Sequence, residues 1–275
     1  MDLTTITEIA HPKTRAQLPV WTAGDAWLAG GTWLFSEPQS HLTRLIDLTD
    51  LKWPPLTIGA SELTIAATCT VAQLDALACP PEWLTAPLIN QCCRAYLASF
   101  KIWKTATVGG NLCMSLPAGP MISLTSALDG VCTIWKPDGN EHKVHVTDFV
   151  IGDGRNVLAP GELLRQIEIP LAALKRRSAF RRISLTPVGR SAALLIGSIE
   201  SAGGLALTVT ASTVRPVQLH FAKHPQANEL REALLHHIPD SLYHDDVHGR
   251  PAWRKHMTLR LAEEIRGELR DPAHP

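Results

Sequence analysis

Two glycine pairs constrain this chain more than any other feature. Each is entered by a short apolar run and left by a small polar residue: Leu28-Ala29-Gly30-Gly31-Thr32, and Thr107-Val108-Gly109-Gly110-Asn111 within TATVGGNLCMSL. Glycine opens backbone angles closed to other residues and leaves no side chain in the way of an approaching group. Asn tolerates a tight turn and carries its own donor and acceptor. Such loops can aim backbone N–H groups at an anion, a pyrophosphate above all. Thr107 and Val108 read as the end of a strand. A lone Gly-Gly pair reads more simply as a tight turn, but two in one domain can grip an extended dinucleotide from two sides. Neither is a Rossmann fingerprint or a P-loop, since no G-x-G-x-x-G and no G-x-x-x-x-G-K-[ST] occurs.

The rest of the composition excludes several classes. At 275 residues the chain can bury a large core and divides into two or three subdomains. Formal net charge is zero, so nothing electrostatic argues for nucleic acid or an anionic membrane as partner. No apolar run approaches the roughly 20 residues that span a bilayer. The N-terminus MDLTTITEIAHPKTR lacks the plan of a signal peptide. The six cysteines show no C-x-x-C spacing and read as buried small hydrophobes of a reducing cytosol. The histidines form no H-E-x-x-H, and His236, His237, His244 and His248 read as surface residues. No G-x-S-x-G and no acid/base dyad stands out, which suits a protein whose hard chemistry belongs to a cofactor.

Periodicity and turn signals predict strands over 6–10, 26–29 and 42–48, and a hairpin of 56–59 with 62–66. Thr32 reads as the cap of a helical turn through Phe35. Thr70 reads as the N-cap of a helix through Leu77 that Pro80-Pro81 ends. Helices follow over 83–96 and 120–128, the second with Pro120 in its first turn. Strands 131–135 and 143–146 pair across Pro137-Asp138-Gly139-Asn140, and 163–169 alternates as a strand. After Pro170 comes a basic run, Lys175-Arg176-Arg177 and Arg181-Arg182, which reads as a solvated linker, as a docking surface or as cations near a cofactor phosphate. Strands over 179–185, 192–200 and 205–210 follow, with Gly203-Gly204 a hairpin turn. Helices over 228–237 and 253–269 complete the pattern.

LAGGTWL and TATVGGNLCMSLPAGPM, with LIDLTDL, TIGASELTIAATCTVAQL and VTDFVIGDGRNVLAPGELLRQIEIP in that order, resemble the FAD-binding subunit of the molybdenum hydroxylases. That family includes the medium subunit of carbon monoxide dehydrogenase and the FAD domain of xanthine dehydrogenase. The resemblance implies an α+β fold. A two-part FAD-binding domain of the vanillyl-alcohol-oxidase/PCMH type would fill residues 1–172, in subdomains of about 1–55 and 56–172. A smaller α+β domain with a short antiparallel sheet would fill 173–275.

The same resemblance implies site residues. Leu28, Ala29, Gly30, Gly31 and Thr32 would surround the FAD pyrophosphate, with Trp33 and Leu34 continuing the loop. Thr107, Gly109, Gly110 and Asn111 would lie against the ribityl and phosphate portion. Leu158 matches a position near the isoalloxazine, and Arg182 one where relatives carry a lysine beside the flavin. No His or Cys lies between Ala23 and Leu34, so FAD would be held non-covalently. Two departures stand out. Pro120 replaces an Asp that relatives place after the second motif, and Trp103-Lys104 replaces Arg-Asn, Trp103 reading as a core residue.

The function implied is the electron-transfer flavoprotein subunit of a cytoplasmic molybdopterin-dependent dehydrogenase. Molybdopterin would sit on a large partner subunit and iron–sulfur clusters on a small one, in a heterotrimer or a dimer of heterotrimers. Electrons would leave to an external acceptor. The rival readings are a stand-alone FAD-dependent oxidoreductase and a structural subunit that has lost FAD.

Overall fold

The computed structural model describes residues 3–270. Its first layer is a three-stranded parallel sheet of β1 (Glu8–Ala10), β2 (Asp25–Leu28) and β3 (Arg44–Asp47), in the order β1-β3-β2. A buried ion pair ties its strands. Asp25 accepts from Arg44 Nε at 2.8 Å and Nη2 at 2.6 Å, and from the Thr22 N–H at 2.7 Å. The hydrogen bond from Arg44 holds the Asp25 carboxyl below its ordinary 3.8. A depressed carboxylate stabilises the fold above its unfolded pKa and loses that contribution as pH falls towards the folded one. Hydrogen-exchange opening of β2 and β3 should therefore become easier below pH 3.8. Asp25→Asn should remove that acid response.

The second layer is a five-stranded antiparallel sheet of β4 (Leu56–Ile58), β5 (Glu62–Ala66), β6 (Val131–Trp135), β7 (Glu141–His145) and β10 (Leu163–Pro170), ordered β4-β5-β10-β6-β7. Between β7 and β10 stand a small hairpin, β8 (Val150–Gly152) with β9 (Arg155–Asn156), and the one-turn helix α6 (Val146–Phe149). Helices α1 (Val71–Asp75), α2 (Ala86–Ala95), α3 (Phe100–Trp103), α4 (Val108–Met114) and α5 (Pro120–Ala127) precede β6. Thr70 caps α1 as its sequence predicts, with Gln73 closing the reciprocal bond of a capping box. Every residue of α5 is buried. A helix apolar all round needs cover on all sides. The last sheet supplies part of it, with Ser123 Oγ 2.7 Å from Thr210 Oγ1.

That last sheet is antiparallel and strictly sequential: β11 (Ser178–Ile183), β12 (Ala193–Ile199), β13 (Leu205–Thr210) and β14 (Val217–Phe221). The short α7 (Leu171–Leu174) leads into it. Its outer face carries α8 (Ala227–His237) and α9 (Pro251–Arg270). Arg254 is the buried keystone of this half. It donates to the carbonyls of Ala192 at 2.6 Å, Ala211 at 2.7 Å and Gly249 at 2.8 Å, and pairs with Asp246. Arg254→Met leaves that carboxylate and three carbonyls without their donor, and should destabilise the protein by about 3–5 kcal/mol in denaturant titration.

The α+β class agrees with the expectation, and several details differ. The basic run is not a solvated linker: β11 takes in Arg181 and Arg182, Arg176 pairs with Asp129 at 2.6 Å, and Arg181 pairs with Glu268 at 2.5 Å and Glu264 at 3.3 Å of α9. Trp33 alone among the tryptophans is exposed. Thr107 and Val108 do not end a strand; Thr107 is the N-cap of α4. Thr32 starts hydrogen-bonded turns rather than a helix. No helix among the described residues is long and apolar enough to cross a membrane.

Candidate functional site

A cleft of about 690 Å³ opens where the three layers meet. That volume lies in the range of small-molecule and cofactor sites. One wall is the loop Ala29–Leu34 that leaves β2. The floor is Tyr96, Ile102, Thr107, Gly110 and Asn111, with Gly119 and Pro120 at the start of α5. The far wall is Val188-Gly189-Arg190-Ser191, between β11 and β12, with His248.

The loop after β2 is shaped for an anion. Gly31 has φ +66°. The turns that follow are closed by Phe35 N–H to Gly31 O at 2.9 Å and Ser36 N–H to Trp33 O at 2.9 Å. Among the described residues, none of the five N–H groups from Gly30 to Leu34 donates to a protein acceptor. Successive free N–H groups around a left-handed glycine make an anion-binding concavity. Gly30 serves a different need: a Cβ there would overlap the Thr105 carbonyl oxygen and come 2.8 Å from its carbon. It is the glycine that lets the two loops touch.

The second motif works otherwise than its sequence suggests. The first N–H groups of α4 are all taken: Val108 by Cys69 O at 2.8 Å, Gly109 by Ala67 O at 3.0 Å, Gly110 by Thr107 Oγ1 at 3.0 Å and Asn111 by Thr107 O at 3.0 Å. This helix start offers no backbone donor to a ligand. Gly109 is buried, and a Cβ there would lie 2.6 Å from Ala67 Cα, so it is a close-packing glycine. Gly110 has ordinary helical backbone and borders the cleft, so its lack of a side chain clears space. Asn111 Oδ1 accepts the Met121 N–H at 3.1 Å and so caps α5 across the chain, leaving its Nδ2 as the free donor. Pro120 lacks only an N–H that the first position of a helix does not use. The Asn111 cap does locally what a carboxylate at that position would do for the helix.

Of the remaining expected residues, Ala29, Thr32, Trp33 and Leu34 line the cleft; Leu28, Leu158 and Arg182 do not. Leu158 packs on the main core, its N–H bonded to Asn156 Oδ1 at 3.0 Å. Arg182 donates to Ser191 Oγ at 2.7 Å and to Gly189 O, so it braces the far wall from behind. Trp103 donates its indole N–H to Tyr96 O at 2.9 Å and packs on the core. Cys113 borders the cleft, but burial pushes its thiol up to about 12, so it stays protonated and offers no nucleophile.

A cleft with a free N–H row on one side and apolar flanks suits a long dinucleotide. The family model described as the FAD binding domain in molybdopterin dehydrogenase matches residues 6–172. This chain belongs to the molybdopterin dehydrogenase FAD-binding family. Quinoline 2-oxidoreductase from Pseudomonas putida 86 has a chain of similar fold, with TM-score 0.78 and 18% identity over 98% of both chains. Carbon monoxide dehydrogenase from Oligotropha carboxidovorans gives 0.78 and 20%, covering 97% of this chain and 99% of that one. The enzyme from Hydrogenophaga pseudoflava that lacks the Mo-pyranopterin moiety gives 0.76 and 17%, covering 94% and 96%. No curated protein sequence matches. The cofactor of this FAD-binding family member is accordingly FAD. Sequence reasoning missed Tyr96, Val188 to Ser191 and His248, which carry no local motif and reach the cleft only through tertiary folding.

Proposed function

We propose that this chain is the FAD-carrying electron-transfer subunit of a cytoplasmic molybdopterin-dependent dehydrogenase. One observation carries the reading: the unpartnered N–H row of Gly30 to Leu34 faces a cleft of cofactor size in a chain of this family. Bound FAD supplies the chemistry, accepting and releasing electrons one or two at a time. The protein's own groups hold and screen it. The Gly30 to Leu34 donors take the pyrophosphate, Gly110 clears its path, Asn111 Nδ2 offers a side-chain donor, and Tyr96 and Ile102 give apolar cover. We place the domain boundary near residue 172, so that the cleft lies between the flavin domain and the α+β domain of 173–275.

The partners follow from chemistry and surface. Among the described residues no activated nucleophile and no acid/base pair stands in the cleft, so substrate oxidation is assigned to a molybdopterin subunit and cluster relay to an iron–sulfur subunit. The cleft lining includes exposed Trp33, Leu97 and Val188 (82% exposed), and Phe35 and Phe100 (68% exposed) are exposed in neighbouring segments of the chain. Exposed apolar groups gathered at one site mark interaction surfaces. Size-exclusion chromatography tests the assignment. Expressed alone, the chain should self-associate; co-expressed with such subunits it should elute as one complex whose flavin bleaches on adding the substrate. A well-behaved monomer that turns over a substrate with FAD alone would contradict it.

A further inference from the structure

The cleft is nearly devoid of charge. Among the described residues no Lys, Asp or Glu lines it, and Arg190 is its single guanidinium, with His248 the other basic side chain. A dinucleotide brings two negative charges on its diphosphate, and backbone N–H groups solvate that charge without neutralising it.

Arg190 is exposed and makes no hydrogen bond or ion pair among the described residues, whereas Arg44, Arg176, Arg181, Arg254 and Arg266 are all paired. Its loop is held in place: Arg182, on β11, ties down Gly189 and Ser191, the residues on either side. Arg190 lines the same cleft as the anion loop, Gly30 to Leu34 forming the opposite wall. We propose that Arg190 is the countercharge for the diphosphate of the bound dinucleotide, and that Arg182 is the positioning residue that presents it. The proposal rests on the cleft being the FAD site. It reassigns Arg182 from a cofactor contact to a brace acting through the next loop.

The test measures Kd for FAD by flavin fluorescence, and for ADP and adenosine by calorimetry, on the purified full chain. Arg190→Gln should weaken FAD and ADP at least about tenfold, leave adenosine unchanged, and flatten the salt dependence of ADP binding. Arg190→Lys should restore most of the loss. Arg182→Ala should weaken ADP in the wild-type background and add nothing once Arg190 is Gln, a non-additivity that a merely structural residue would not show. Three results would overturn the proposal. Unchanged ADP affinity in Arg190→Gln removes it outright. Weakened FAD with unchanged ADP moves Arg190 to the ring end. A fall in thermal stability, copied by Asp153→Asn across the small neighbouring cavity, makes Arg190 a structural latch. A wild-type chain that binds neither FAD nor ADP fails the site itself, a failure visible before any variant is made.

Discussion

Gly30→Ala is expected to damage fold and cofactor site together. The added methyl would coincide with the Thr105 carbonyl oxygen, which is backbone and held by its neighbours. Thr105 donates to Ile102 O at 3.0 Å and Ala106 to the same carbonyl at 2.7 Å, so this segment is fixed by the turn after α3. Relief requires the loop after β2 to separate from the start of α4, which opens the cleft floor. Overpacking against immovable backbone belongs at the upper end of its class, about 3 kcal/mol or more. Urea titration should show that loss, and the variant should retain no FAD.

Gly110→Val separates site from fold. Gly110 is helical, and a Cβ there meets only Thr107 Oγ1, at 2.8 Å. The capping hydroxyl can adjust, and valine is a better helix former than glycine by a few tenths of a kcal/mol. Stability should therefore change little. The isopropyl group, however, projects into the cleft beside Asn111. We expect the Kd for FAD to rise at least about a hundredfold, near 2.8 kcal/mol, with an unchanged far-ultraviolet circular dichroism spectrum. The cause is lost space, since Gly110 has no left-handed angle to strain.

The contrast between these glycines shows what the sequence could and could not reveal. Local signals were legible wherever chemistry was local. The Thr70 N-cap, the 56–66 hairpin, the turn at 137–140 and the turn at Gly203, with φ +83°, all follow from residue type and spacing. The second motif misled because Thr-Val before glycine has β-branched character, while the Thr107 hydroxyl was needed as a helix cap. Two equivalent-looking Gly-Gly pairs also hide three different duties. Gly30 and Gly109 permit close packing, Gly31 turns the backbone, and Gly110 leaves room. Only the neighbours across space assign those duties. Val217–Phe221 passed unnoticed as a strand because its pairing partner, β13, supplies the context that its own five residues lack. The far wall of the cleft was hidden for the same reason: the family resemblance implies that Arg182 lies beside the flavin, and only the fold brings its guanidinium to Gly189 and Ser191.

Whether this cleft holds FAD is decided by titrating the purified chain with FAD. The expected result is saturation at one FAD per chain, a flavin absorption band carried by the protein through gel filtration, and release of intact FAD on acid denaturation. A chain that stays colourless and leaves added FAD in the small-molecule fraction would contradict it.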